Sequence, residues 1–121
     1  MKKIVSFLLF AAAFLLTGCQ ATDVKEADLL GAWQLMVATE DGVREDTSSD
    51  NVIYEFAADH TFYVTNTPRG YWQLTGNKLY ISYDDIDWTV SKLTTTSLVL
   101  RYEEYDEGEY SWLLYEFRRV L

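Results

Sequence analysis

From Gly31 onward the apolar side chains recur at every second position, in short runs separated by clusters of Gly, Pro, Asn, Asp and Thr. Successive side chains of an extended chain point to opposite faces, so such a run can bury one face and wet the other; an amphipathic helix would need a period near 3.6. No long helical period follows residue 16. This alternation predicts an all-β chain whose strands are joined by turns, and it rules out a helical bundle or an α/β sheet.

Trp33, Leu35 and Val37 share one face of a first strand that ends at Glu40-Asp41-Gly42, and the polar, acidic residues 40–51 read as the longest loop. Tyr54 and Phe56 alternate with Ile53 and Glu55, and Asp59-His60 turns the chain into residues 61–65, where Phe62 and Val64 share a face. Thr67-Pro68-Arg69-Gly70 reads as a turn, because Pro fixes φ and Gly permits positive φ. Thr75-Gly76-Asn77 predicts a tight hairpin between Trp72 and Leu74 on one strand and Leu79, Ile81 and Tyr83 on the next, with Gly76 at positive φ. Asp84-Asp85 leads into Trp88 and Val90, and Thr94-Thr95-Thr96 into Leu98, Leu100 and Tyr102. Residues 103–109 read as an acidic turn containing Gly108, before a long last strand over 110–120. The count is eight strands. An antiparallel meander of this size either stacks as a sandwich or closes into a barrel, which removes its edges; alternation is the same in both.

Residues 1–18 stand apart. Lys2 and Lys3 precede an apolar run over 4–16 that ends in small residues, the three parts of an export leader, and the run is shorter than the roughly twenty residues of a spanning helix. Leu16-Thr17-Gly18-Cys19 resembles the bacterial lipobox, which implies a diacylated Cys19 as the new N-terminus. The expected organisation is a lipoprotein signal peptide over 1–18, the lipidated Cys and a polar tether over 19–28, and one domain over 29–121. Acyl chains contribute about 0.8 kcal/mol per buried methylene, so several of them hold such a domain durably on a bilayer. Gln20 rather than Asp after the Cys resembles sorted lipoproteins of the outer membrane. The expected location is the bacterial cell envelope, outer membrane rather than inner.

A short helical turn before Leu30-Gly31-Ala32-Trp33, then strands around 56–62, Gly70-Tyr71-Trp72, residues 74–79, residues 88–100 and Phe117-Arg118-Arg119, resembles the small lipocalin-like domains of bacterial lipoproteins. The resemblance covers residues 29–121 and implies an eight-stranded antiparallel meander closing into a lipocalin-like β-barrel. It also implies that Gly31 and Trp33 belong to the closed end, with an Arg of the last strand over the indole. Arg119 and Arg118 both fit that role, since neighbouring residues of a strand face opposite sides. The chain is shorter than a secreted lipocalin and lacks its disulfide and long C-terminal helix.

An eight-stranded barrel is just wide enough to be filled by its own side chains or to hold one small ligand. Tyr54, Phe56, Phe62, Trp72, Ile81, Trp88, Leu100 and Tyr115 lie on apolar-biased strand faces. They form either the core or, with Tyr54, Phe56, Phe62, Trp72, Trp88, Leu100 and Tyr115 as contacts, an apolar pocket with a few orienting hydroxyls. Cys19 is the only Cys and His60 the only His, the latter read as an exposed turn residue. That leaves no nucleophile with an oriented base and no nitrogen or sulfur set for a transition metal, so neither an enzyme nor a cofactor is expected. Asp84, Asp85 and Asp87, and Glu103, Glu104, Asp106, Glu107 and Glu109, lack the spacing of a calcium loop and read as a solvated charged rim.

The whole chain carries 10 basic against 19 acidic residues, net −9, and loses Lys2 and Lys3 with the leader. Nucleic acid is excluded as a partner on these grounds. All four Trp and all nine Tyr lie beyond the leader, too many for a disordered acidic tail. The leading reading is a noncatalytic, membrane-anchored lipoprotein whose barrel binds a small apolar molecule. The alternative is a packed barrel that engages a basic envelope protein through its acidic loops.

Overall fold

The computed structural model describes residues 23–120; the leader and Cys19 lie outside the described residues. One helical turn, α1 (Glu26–Leu29), precedes nine strands. These are β1 (Gly31–Glu40), β2 (Val43–Asp46), β3 (Ile53–Phe56), β4 (Thr61–Val64), β5 (Thr67–Thr75), β6 (Lys78–Ile81), β7 (Ile86–Leu93), β8 (Ser97–Asp106) and β9 (Glu109–Arg119). Every pairing is antiparallel, and β9 pairs back onto β1 from Trp33↔Arg119 to Glu40↔Leu113. The sheet therefore closes as a barrel, and the sandwich is excluded.

Eight strands make the ring, because β2 and β3 share one edge of β1. β2 takes Val37 to Glu40, and β3 takes Gly31 to Gln34. Together they are one strand interrupted by an excursion that includes a 3-10 turn at Ser48–Asp50. The excursion satisfies a bulge at Met36: Thr47 N donates to Met36 O at 3.0 Å and Thr47 Oγ1 to Leu35 O at 3.1 Å. Residues 40–51 are thus not a loop throughout. Val43–Asp46 is exposed at every position and carries no apolar alternation, so its strand character comes from pairing with β1 rather than from its own pattern.

The bulge also changes which residues face inward. Trp33 and Leu35 point into the barrel as expected, but beyond Met36 the inward set becomes Ala38 and Glu40, opposite Tyr115 and Leu113. Val37, expected beside Trp33 and Leu35, lies opposite Glu116 on the other face.

Turn chemistry decides the remaining connections. Gly76 has φ 63° in the two-residue β5–β6 hairpin, as its sequence predicts. The turn expected at 67–70 falls earlier, at Thr65-Asn66, where φ values of 48° and 69° give the twist that suits a two-residue hairpin. Pro68 and Gly70 lie inside β5 instead, around a bulge opposite Phe62 and Tyr63. Pro is tolerated there because β6 pairs only with Trp72 to Thr75, leaving this stretch edge-like. The acidic residues 103–109 likewise continue β8 and β9, so that Glu107-Gly108 alone forms the turn of a long hairpin.

The interior is aromatic. Trp33, Phe56, Phe62, Trp72, Leu79, Ile81, Trp88, Leu98 and Leu100 are fully buried in one cluster with Leu29, Leu35, Tyr54, Val90 and Phe117. Ring centroids separated by 4.9 Å (Tyr54–Phe62), 5.5 Å (Phe56–Phe62) and 5.7 Å (Phe56–Trp72) place these side chains in direct contact.

Candidate functional site: the open mouth of the barrel

The connections alternate between two ends. α1, the β3–β4 turn, the β5–β6 turn and the β7–β8 turn lie at one end; the β1–β2, β4–β5, β6–β7 and β8–β9 turns lie at the other.

The first end is sealed. Leu29, the last residue of α1, is fully buried, and Trp33 Nε1 donates to Leu29 O at 2.9 Å. The Arg119 guanidinium lies 4.1 Å from the Trp33 ring centroid and donates to Leu30 O (2.9 Å), Asp28 O (2.8 Å) and Thr95 O (2.8 Å). Arg118 is exposed on the opposite face, opposite Gln34 and Ser97, so register selects Arg119 for the indole. Gly31 is required by both backbone and space: its φ is 115°, and a Cβ there would come within 2.9 Å of Arg119 Nη1. His60 is not a free turn residue. It has φ 71°, stacks on Trp72 at 4.3 Å, and pairs with Glu26 of α1 at 3.0 Å, tying the β3–β4 turn to the helix.

The second end is open. A cleft of about 490 Å³ lies on the inner face of β1, β2 and β9, where Ala38, Glu40, Val43, Glu45, Leu113 and Tyr115 meet. A smaller hollow of about 150 Å³ continues it past Glu40 and Leu113 to Tyr102, Glu104 and Ser111, inward residues of β8 and β9. A groove of about 530 Å³ exists at the sealed end, between α1 and the β7–β8 turn, but it lies outside the barrel and its one cationic group, Arg119, is already held by three carbonyls. The cleft at the mouth lies on the inner face of the strands, with Tyr115 on its border.

Beneath the cleft stands a polar layer. Asp84, in the β6–β7 turn, is half-buried; its Oδ1 accepts from Ile86 N (3.2 Å) and its Oδ2 from Trp88 Nε1 (3.1 Å). Burial raises its carboxyl pKa above the usual range, against the lowering effect of those hydrogen bonds. The Tyr115 ring lies tilted against Trp88 with centroids 4.9 Å apart, and its hydroxyl is pushed up by burial and then by the Asp84 and Glu40 carboxylates. Tyr54 is 7% exposed and its hydroxyl is raised further, first by burial and then by Tyr115 and Asp84. Among the described residues neither the Tyr54 nor the Tyr115 hydroxyl has a hydrogen-bond partner within the protein.

Of the side chains expected to contact a ligand, Tyr115 borders the cleft directly, while Tyr54 does not line it and packs on Phe62 and Phe117 in the core. Phe56, Phe62, Trp72, Trp88 and Leu100 have no surface that a water molecule can reach, so no ligand-sized void adjoins them; they are the packed floor. Glu40, Glu45, Leu113 and Asp84 join the site without having been singled out as ligand contacts. The acidic residues do not converge on an ion: among the described residues no three His, Cys, Asp or Glu side chains are grouped as metal ligands. Asp85 instead accepts from Tyr80 Oη at 2.7 Å, and Glu103 from Arg101 at 2.7 Å and Tyr110 at 2.9 Å on the outer face. No helix among the described residues is long and apolar enough to cross a membrane.

A sequence model of the lipocalin-like domain matches residues 29–100, from the end of α1 to the middle of β8. The chain belongs to this family. Its lipocalin-like barrel is completed by residues beyond the match, since the upper half of β8 and all of β9, with Arg119 and Tyr115, supply the closing ladder and one wall of the mouth. Neither a curated protein sequence nor a solved structure matches the chain.

Proposed function

We propose that this lipocalin-like protein is a noncatalytic, lipid-anchored component of the bacterial envelope that takes up a small, largely apolar molecule at its open mouth. The observation that carries the reading is the cleft of about 490 Å³ on the inner face, which lies within the 300–1,000 Å³ usual for small-molecule sites and sets Ala38, Val43 and Leu113 beside the polar Thr39, Glu40, Asp41, Glu45 and Tyr115. The family is typically one of noncatalytic binding proteins.

The anchor and the mouth are consistent with one another. Val24 N donates to Gly76 O, so the chain enters the fold at the sealed end. Cys19 precedes Asp23 by four residues, a reach of at most about 14 Å. A lipid on Cys19 would hold the sealed end against the bilayer and turn the mouth away from it. Cys19→Ala should move the protein from the membrane fraction to the soluble one; retention in the membrane contradicts the anchor.

Native mass spectrometry of the processed protein, gently extracted and then treated with organic solvent, tests the ligand. A stoichiometric small adduct supports the reading, whereas a clean apo mass after challenge with apolar candidates overturns it. One observation favours a second reading, binding of a basic envelope protein: the β8–β9 hairpin is exposed along its acidic distal half, with Tyr105 and Tyr110 on its outer face. Such binding would weaken steeply with added salt, unlike apolar uptake.

A further inference from the structure

The charges of the domain are not spread evenly along the barrel. Lys25 beside α1, Lys78 after the β5–β6 turn, Lys92 before the β7–β8 turn, and Arg118 and Arg119 at the end of β9 stand at the sealed end. The acid-rich segments 40–46, 84–87 and 103–109 stand at the mouth. The barrel is thus polarised along its axis, and an anionic surface attracts the sealed end while it repels the mouth. Between Cys19 and Asp23 lie Gln20, Ala21 and Thr22, which carry no charge, so any such attraction comes from the folded domain.

One groove at the sealed end is lined without a carboxylate. It measures about 460 Å³ and is bordered by Gln34, Thr96, Arg118, Arg119 and Val120. Arg119 is held by three carbonyl oxygens, so its charge is hydrogen-bonded without being neutralised. Arg118, exposed opposite Gln34 and Ser97, brings a second positive charge to the same groove. Among the described residues no carboxylate lies within ion-pair distance of either arginine, and Glu116, the acid on the same outer face of β9, is engaged by Arg44 at 3.6 Å. Two guanidinium groups bordering one groove repel each other, and an anion between them relieves that cost. A phosphate suits the place, because a guanidinium presents paired N–H donors to its oxygens and the Thr96 side chain stands beside them. Val120, 38% exposed, gives the rim an apolar edge. The neighbouring groove against α1 is lined by Asp28 instead and does not favour an anion.

We infer that this groove seats the phosphate headgroup of an anionic lipid, so that the domain docks on the bilayer by the corner where β1 and β9 meet and holds its mouth outward. This deepens the lipid-anchored reading and rests on it. The occupant is a bilayer rather than a soluble anion because the chain enters the fold at this same end, through Val24 and Gly76, and Cys19 lies only four residues before Asp23. Attraction to a charged membrane surface fades within about 8 Å at physiological salt, and a tether this short keeps the arginines inside that range. Arg118 supplies a mobile donor and Arg119 a fixed charge. Docking by this corner also turns the α1 flank, with Asp23, Glu26 and Asp28, away from the headgroups.

The test places the processed, lipidated protein in nanodiscs of phosphatidylcholine, with or without phosphatidylglycerol, and reads amide NMR signals against a gadolinium chelate on the lipid headgroups. In anionic discs the signals of Thr96, Arg118 and Val120 should weaken at least twofold more than in neutral discs, while those of Glu107 and Gly108 at the far turn should not change. Arg118→Gln should abolish the difference. Lys78→Gln, which removes the same charge from the same end but outside the groove, should preserve it. Equal weakening in both kinds of disc overturns the headgroup site and leaves the anchor standing. Equal loss in the two variants, or weakening centred on α1, overturns the groove as the seat. Glycerol phosphate in solution is the second probe: if it saturates the Thr96 and Arg118 shifts without a membrane, the site is one for soluble phosphate and the bilayer assignment falls. Failure to enter neutral discs contradicts the anchor; retention on anionic discs that depends on Arg118 then still upholds the site, and retention on neither overturns both.

Discussion

The two ends of this barrel are built from the same strands and treat their polar groups in opposite ways. At the sealed end the Trp33 indole N–H and the Arg119 guanidinium are matched to carbonyls of the helix and its flanks, and the guanidinium covers the indole. At the mouth, Glu40, Asp41 and Glu45 line the cleft with no Lys or Arg beside them, and the Tyr54 and Tyr115 hydroxyls lack partners, among the described residues. Consistency of packing and hydrogen bonding is what a stable fold selects, so the end that departs from it is the one to test for recognition. Stability is concentrated at one end, and unsatisfied chemistry at the other.

The largest break in this contrast should come from the sealed end. Trp33→Ala removes a fully buried indole at the point where α1, β1 and β9 meet, and should cost about 3 to 5 kcal/mol. Urea unfolding checks it, and an unchanged midpoint would contradict the plug. Arg119→Leu should cost less, about 2 to 3 kcal/mol. It loses charge-assisted hydrogen bonds and a cation over a ring, but leaves the indole in place. Arg118→Leu, one residue away and exposed, should stay within about 0.5 kcal/mol. Equal losses for the two arginines would deny the seal its specificity. The pair is a sharp test because the chemistry is identical and only the face differs.

That distinction shows how far the sequence carries. Alternation from Gly31 onward was enough for an eight-stranded antiparallel meander and for the apolar faces that carry Tyr54, Phe56, Phe62, Trp72, Trp88, Leu100 and Tyr115, whereas closure into a barrel was legible only through the resemblance. What alternation cannot carry is a change of parity. The bulge at Met36 turns Glu40 from an expected turn residue into an inward carboxylate, and no local residue type announces it. β2 was illegible for a related reason. Val-Arg-Glu-Asp has no apolar period, and its strand character is imposed by β1 across the ladder. Pro68-Arg69-Gly70 misleads in the opposite direction, since residues that usually make a turn here make a bulge. The sealed end rests on a few large side chains of fixed type, and was legible through resemblance. The mouth rests on register, and so became visible only when the strands were paired.

The smallest effect is the one that separates the two ends most cleanly. Tyr54→Phe deletes an oxygen from a side chain that is 7% exposed and keeps the ring that packs on Phe62 at 4.9 Å and Phe117 at 5.1 Å. A buried hydroxyl that had a partner would be missed, and its loss would destabilise the protein by about 1 kcal/mol. One without a partner imposes a desolvation cost that the substitution removes, so the variant should gain about 1 kcal/mol in urea unfolding of the empty protein. The sign alone decides. If the mouth takes a ligand that bonds this hydroxyl, the same variant that is more stable empty should gain less from added ligand, because stabilisation by a ligand scales with its affinity for the folded state. A gain in stability coupled to a loss in ligand response is the signature of a group held in the fold for binding, and Trp33 and Arg119 cannot produce it.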